Sequence, residues 1–220
     1  SQRRIIGWAR SGGFCHLEAK DYPYTLHFCF EFNTDFESFG TWESETQQHG
    51  ETKAVGDAAA LYIQFDSNRS EPVLAKVGLS YVDIEGAKEN LDAEIPGWDF
   101  DAVKKCVEEK WEKALSCIRV ESDNSNRLKN FYTALYHAQL LPSVFQDVDG
   151  RYRGFDDRVH QSPEGHVQYA NFSLWDTYRT VAALQAIASP RRAADMAQSL
   201  LIDSLEGEGG GLPVFAINNM

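Results

Sequence analysis

Several common chemistries are missing from this chain of 220 residues. Its four cysteines, Cys15, Cys29, Cys106 and Cys117, include no Cys-x-x-Cys pair, which argues against a structural zinc site. The six histidines are scattered and form no His-Glu-x-x-His pair, so the zinc-protease pattern is excluded; His137 ends a helical segment and reads as structural. Positive charge is scarce, with 21 Lys and Arg against 33 Asp and Glu and a net charge of -12. No basic stripe is available to neutralise phosphates, which argues against a nucleic-acid partner. No apolar run is long enough to span a bilayer. The glycines at 209–211 are not followed by Gly-Lys-Ser/Thr, so they make no phosphate loop. Neither an internal repeat nor a signal-peptide pattern is present. The opening residues read as the middle of a β region and the last ones stop just after a loop. Both ends therefore read as cuts in a longer protein.

What is present is ordinary globular material in two parts, with 43% hydrophobic and 25% charged residues. Residues 1 to about 85 alternate with a period of two. In Tyr24 to Phe32, Tyr24, Leu26, Phe28, Phe30 and Phe32 share one face, and Thr25, His27, Cys29 and Glu31 the other. Strands are also expected over 61–65 and 73–82, and the whole reads as an antiparallel sandwich whose aromatic face is buried. Near residue 85 the period becomes helical. Apolar residues at 103, 106, 107, 111, 114, 115 and 118 predict one helix, on which Cys106 and Cys117 lie about three turns apart, too far to bridge. Cys15 and Cys29 could pair across two strands or stay buried thiols. Further helices are expected over 125–139, 173–188 and from Pro190, the last N-capped by Ser189, burying Met196, Leu200, Leu201 and Leu205, and stopped by Gly207.

Three segments carry unusual side chains. Phe172-Ser-Leu-Trp-Asp-Thr-Tyr-Arg179 places Trp175 and Asp176 in the first turn of a helix. Spacing alone allows Trp175 to be core and Asp176 a dipole-favoured carboxylate. It equally allows a sugar site, in which an indole packs on C–H faces and a carboxylate accepts hydroxyl hydrogen bonds. The loop Asp147 to Asp157 holds Arg151 and Arg153 among four aspartates. It lacks the ligand spacing of an EF-hand and reads as a turn satisfied by its own Asp–Arg pairs. Gly209-Gly-Gly-Leu-Pro213 is permissive backbone. Asn68-Arg-Ser70 and Asn171-Phe-Ser173 are glycosylation sequons; Asn171 lies against the proposed sugar site, which disfavours its modification.

Together, Phe131-Tyr-Thr-Ala-Leu-Tyr-His137, Asp147-Val-Asp-Gly-Arg-Tyr-Arg-Gly154, Phe172-Ser-Leu-Trp-Asp-Thr-Tyr178 and Gly210-Gly-Leu-Pro213 closely resemble the glycoside hydrolase family 92 α-mannosidases. Ser11-Gly-Gly-Phe14, Val77-Gly-Leu-Ser-Tyr81 and Asn90 to Trp98 extend the likeness over nearly the whole chain. The resemblance implies a β-sandwich over 1–86, linker helices over 87–120, and the first part of an (α/α)6 barrel over 121–220. It implies exo-acting, calcium-dependent removal of terminal α-linked mannose from glycans, with inversion, by a secreted, periplasmic or extracellular enzyme. Trp175 and Asp176 match the pair that contributes to the terminal mannose pocket, and Arg151 and Arg153 match a supporting loop. The resemblance puts the general acid, the general base and most calcium ligands beyond Met220, which leaves the isolated chain inactive. Two positions depart from the pattern: Gly211 and Phe215 stand where the family usually has an aromatic residue and a Trp, which affects how the pocket is lined. Two other readings remain at this point: a different (α/α)6 glycosidase or phosphorylase, and a non-catalytic carbohydrate-binding protein.

Overall fold

The computed structural model describes residues 3–12, 23–43, 46–207, 211–212 and 215–216. Antiparallel sheets come first and helices follow. Strands β1 (Arg4–Gly12), β2 (Pro23–Phe32) and β6 (Ala75–Ser80) form one three-stranded sheet in the order β1-β2-β6. Strands β3 (Ser38–Glu43), β4 (Thr46–His49) and β5 (Ala60–Gln64) form a second, in the order β4-β3-β5. In register, Cys29 of β2 lies beside Ile6 and Gly78, and Phe28 beside Gly7 and Leu79.

The aromatic face of β2 is half-buried, and the first sheet packs a helix against its other face. Helix α1 (Ile84–Glu94) packs over Cys29, which is fully buried with Ala87 and Leu91. On β6 the buried residues are Lys76, Gly78 and Ser80, while Val77 and Leu79 are exposed. Gly78 explains the close approach of that helix. A Cβ there would lie 2.1 Å from the carbonyl oxygen of Ala87, so only glycine lets the helix backbone come so close. Lys76 is accommodated because its Nζ donates to the Ile95 carbonyl at 3.0 Å and sits 4.8 Å over the Trp98 ring.

Helix α2 (Phe100–Leu115) is capped by Asp99, whose side chain accepts from Ala102 N, and it touches α3 (Ser125–His137) through Trp111 and Tyr136 with ring centroids 4.5 Å apart. Cys117 lies past the end of α2, and both it and Cys106 are exposed thiols, not buried ones. Cys15 lies outside the described residues. The helix expected over 173–188 is two: α4 (Leu174–Thr177) and α5 (Val181–Ala188), interrupted at residues 178–180. Helix α6 (Pro190–Glu206) starts with Pro190 as predicted, but Ser189 makes no side-chain cap. It buries Met196, Ser199 and Asp203, a stripe at spacings of three and four, which turns Leu201 and Leu205 outward.

Candidate functional site

Short strand pairs bring the motif segments together. Strand β10 (Tyr169–Ala170) pairs with β7 (Ser143–Val144), and β11 (Phe172–Ser173) pairs with β12 (Phe215–Ala216). Asn171, at φ +66°, forms the bend between β10 and β11; this left-handed conformation suits Asn better than most residues. Phe172 therefore lies beside Ala216 and Ser173 beside Phe215, which joins the Trp-Asp segment to the chain just after the Gly-Leu-Pro segment. Pro213 and the glycines at 209 and 210 lie outside the described residues. Hairpin β8 (Arg151–Arg153) and β9 (Val159–Gln161) joins the same region through a core of Phe145, Tyr152 and Ala170.

Trp175 and Asp176 sit on the short α4 and are both exposed, Trp175 at 58%. Trp175 is not among the buried residues of this chain. The Ser173 hydroxyl donates to the Asp176 carboxylate and limits its rotation. Tyr178 is also exposed, and Arg179 donates from Nε to its hydroxyl at 2.7 Å. One edge thus presents an indole, a carboxylate, a phenol and a guanidinium to solvent. These groups can stack on a pyranose and exchange hydrogen bonds with its hydroxyls.

Arg151 and Arg153 point elsewhere. Arg151 binds the Asp83 carboxylate at 2.8 Å and the Asp149 carboxylate, and its hydrogen bond holds the Asp83 carboxyl below the usual carboxylate range. Arg153 donates to the Tyr81 carbonyl at 3.3 Å and to the Asp157 carbonyl at 2.8 Å. The loop is the self-satisfied Asp–Arg turn that its composition suggests, and it clamps the β6–α1 junction. Asp147 lies at its centre. This carboxylate is buried and accepts from Ser80 Oγ at 2.7 Å and Asn90 Nδ2 at 2.8 Å. Burial raises its pKa, against the pull of those two hydrogen bonds. Asn90 Oδ1 in turn accepts from Val148 N at 2.8 Å.

A second polar cluster runs along α6, and no motif marks it in the sequence. Ser199, His166 and Asp195 are spaced like a nucleophilic triad, with Ser199 Oγ 3.4 Å from His166 Nε2 and His166 Nδ1 3.3 Å from Asp195 Oδ1. They cannot act as one. Ser199 is fully buried, its hydroxyl already donates to the Asp195 carbonyl at 2.8 Å, and it accepts from Tyr169 N at 2.9 Å. Further along the helix, Asp203 accepts from Gln168 Nε2 at 3.0 Å, and Glu206 accepts from the Tyr152 hydroxyl at 2.6 Å. Asp203 Oδ2 and Glu206 Oε2 are buried without a hydrogen-bond partner. Burial, with Glu206 nearby, lifts the Asp203 carboxyl to about 7, a value suited to a general acid. Yet Asp203 is only 5% exposed, and a glycosidase acid must reach the leaving oxygen. Its pKa is a consequence of packing.

Among the described residues, no three His, Cys, Asp or Glu side chains converge to hold a metal ion.

Comparison with known proteins adds three findings. The sequence model of the glycosyl hydrolase family 92 N-terminal domain matches residues 1–80, and that of the family's catalytic domain matches residues 86–220. A curated relative, an uncharacterized secreted glycosidase from Arthroderma benhamiae, is 32% identical over 127 residues, which is 55% of this chain and 15% of the relative. Among solved structures, the family GH92 α-mannosidase BT3965 from Bacteroides thetaiotaomicron superposes with a TM-score of 0.83 at 26% identity, over 100% of this chain and 29% of that one. The same protein has also been solved in complex with mannoimidazole. The inverting mannosidase BT2199 from Bacteroides thetaiotaomicron VPI-5482 gives 0.85 at 25% identity, over 98% of this chain and 28% of that one. The chain thus spans less than a third of the length of these relatives.

Proposed function

The chain belongs to glycosyl hydrolase family 92, and from that premise we propose that it is the front part of an exo-acting α-mannosidase. The full-length enzyme removes terminal α-linked mannose from glycans with inversion and depends on calcium. It is exported to the periplasm or the extracellular space, which agrees with the secreted relative. In this reading residues 1–86 belong to the N-terminal sandwich, 87–120 link it to the catalytic part, and 121–220 open the (α/α)6 barrel. The observation that carries the reading is the solvent-facing Trp175–Asp176 pair on a strand-anchored turn, within a fold shared with two mannosidases.

Trp175 and Asp176 grip the terminal sugar: the indole covers an apolar face and the carboxylate accepts hydroxyl hydrogen bonds. Arg151 and Arg153 support the site indirectly by fixing the β8–β9 hairpin. In an inverting mechanism one carboxylic acid protonates the leaving oxygen and a second carboxylate activates water on the opposite face. Neither role falls to a residue described above. The calcium site and the acid–base pair belong to other parts of the full-length protein, so the 220 residues alone do not turn over.

The test is mannose release from an aryl α-mannoside. Full-length enzyme should be active, lose activity with a chelator and recover it with calcium. Turnover by the isolated chain, or a full-length enzyme indifferent to chelation, contradicts the proposal. In the full-length enzyme, Asp176→Ala should lower kcat/KM by about 10- to 100-fold, the value of one charge-assisted hydrogen bond. Trp175→Ala should weaken mannose binding, read as a raised KM for the aryl α-mannoside.

A further inference from the structure

The two sequons stand in opposite environments. Asn68, Arg69 and Ser70 are all exposed, in the turn that leaves β5 before β6 begins. Asp66 organises that turn. Its Oδ1 accepts from Asn68 N at 2.8 Å and from Asn68 Nδ2 at 3.1 Å, and its carbonyl accepts from Arg69 N at 3.4 Å. Arg69 Nη1 donates to Thr34 Oγ1 at 2.6 Å, which holds the middle of the sequon against a neighbouring loop and leaves Asn68 at the outer edge. A glycosylated asparagine keeps one N–H on Nδ2, so the bond to Asp66 can survive modification. Asn171 is different. It has φ +66°, lies between Ala170 and Phe172, which are 2% and 4% exposed, and is four residues from Trp175. An oligosaccharide there would have to leave between two paired strands and across the sugar-facing edge.

We infer that Asn68 is an N-glycan acceptor of this protein and that Asn171 is not. The inference rests on the export reading above, and on a eukaryotic secretory route, for which the secreted fungal relative is the support. The donor is an oligosaccharide joined to a polyprenyl diphosphate. Asn68 Nδ2 forms a bond to the first sugar's anomeric carbon, the bond from that carbon to the diphosphate oxygen breaks, the amide gives up one proton, and polyprenyl diphosphate leaves. A glycan at this turn is bulky and solubilising and conflicts with no described contact.

The experiment expresses the full-length reading frame in a eukaryotic secretory host, once with its own leader and once behind a host leader that ensures entry to the lumen. Peptide mapping before and after glycanase treatment reads each sequon. Conversion of Asn68 to Asp by the glycanase, loss of that mass shift in Asn68→Gln, and an unmodified Asn171 support the inference. Asn68→Gln should leave mannose release unchanged. An unmodified Asn68 in the host-leader protein, or a glycan on Asn171, overturns it. Retention in the cytosol of the own-leader protein alone counts against export and leaves the acceptor result standing, so the two failures are distinguishable.

Discussion

Asp147→Ala should destabilise the chain by about 3–5 kcal/mol, read as a lower urea midpoint with little change in slope. The Ser80 hydroxyl and one N–H of Asn90 Nδ2 lose their shared acceptor, the other N–H keeping the Leu79 carbonyl at 2.8 Å, and each buried group left unsatisfied costs about 1–3 kcal/mol. Ser80 belongs to β6, Asn90 to α1 and Asp147 to the turn before β8, so one side chain ties the sheet, the first helix and the hairpin together. Asp149→Ala is the matched control. It removes a carboxylate from the same turn, but one that is about a third exposed, and should cost no more than about 1 kcal/mol. Equal effects of the two substitutions would show that burial at Asp147 has no special weight.

Asp203→Asn should raise stability above neutral pH and change little near pH 4. The folded carboxyl titrates at about 7, against 3.8 when unperturbed. The folded state therefore binds more protons than the unfolded state between those values, and stability falls as pH rises through that window. About three units correspond to a loss on the order of 4 kcal/mol at most by pH 8. Asparagine keeps an oxygen to accept from Gln168 and removes the buried charge beside Glu206. Urea melts from about pH 4 to pH 8 should slope downward for the parent and run flatter for the variant. Parallel profiles would locate the titration elsewhere.

Much of this was legible in the sequence, and the gaps have identifiable causes. Strands β2, β5 and β6 and helices α2, α3 and α6 follow from hydrophobic period, and the start of α6 from Pro190. The seat of α1 on the Cys29 face is not legible, because alternation reports side-chain character, whereas Gly78 admits a helix backbone by having no side chain at all. The break at residues 178–180 was missed because Tyr178, Arg179 and Thr180 carry neither Gly nor Pro. At the site, Trp175 and Asp176 were conspicuous as an aromatic and an acid at a helix start. Asp147 had the same composition as its neighbours in the turn, and its burial arises from partners 57 and 67 residues away. Asp203 is similar: nothing local distinguishes it from a solvent-facing helical aspartate, and its environment comes from Gln168, 35 residues earlier.

The close approach at Gly78 has a counterpart at Gly86, where a Cβ would meet Asp147 Oδ2 at 2.2 Å and Ser80 Oγ at 2.8 Å. One of these glycines lies within the N-terminal family domain and the other within the catalytic one. The two parts are thus fitted to each other through atoms that are missing on both sides. A chimera that grafts the N-terminal part of another family member onto this catalytic part needs glycine at both positions. With a larger residue at either, the graft would hold α1 off the sheet, and the Asp147 turn would lose its anchor before any sugar was met.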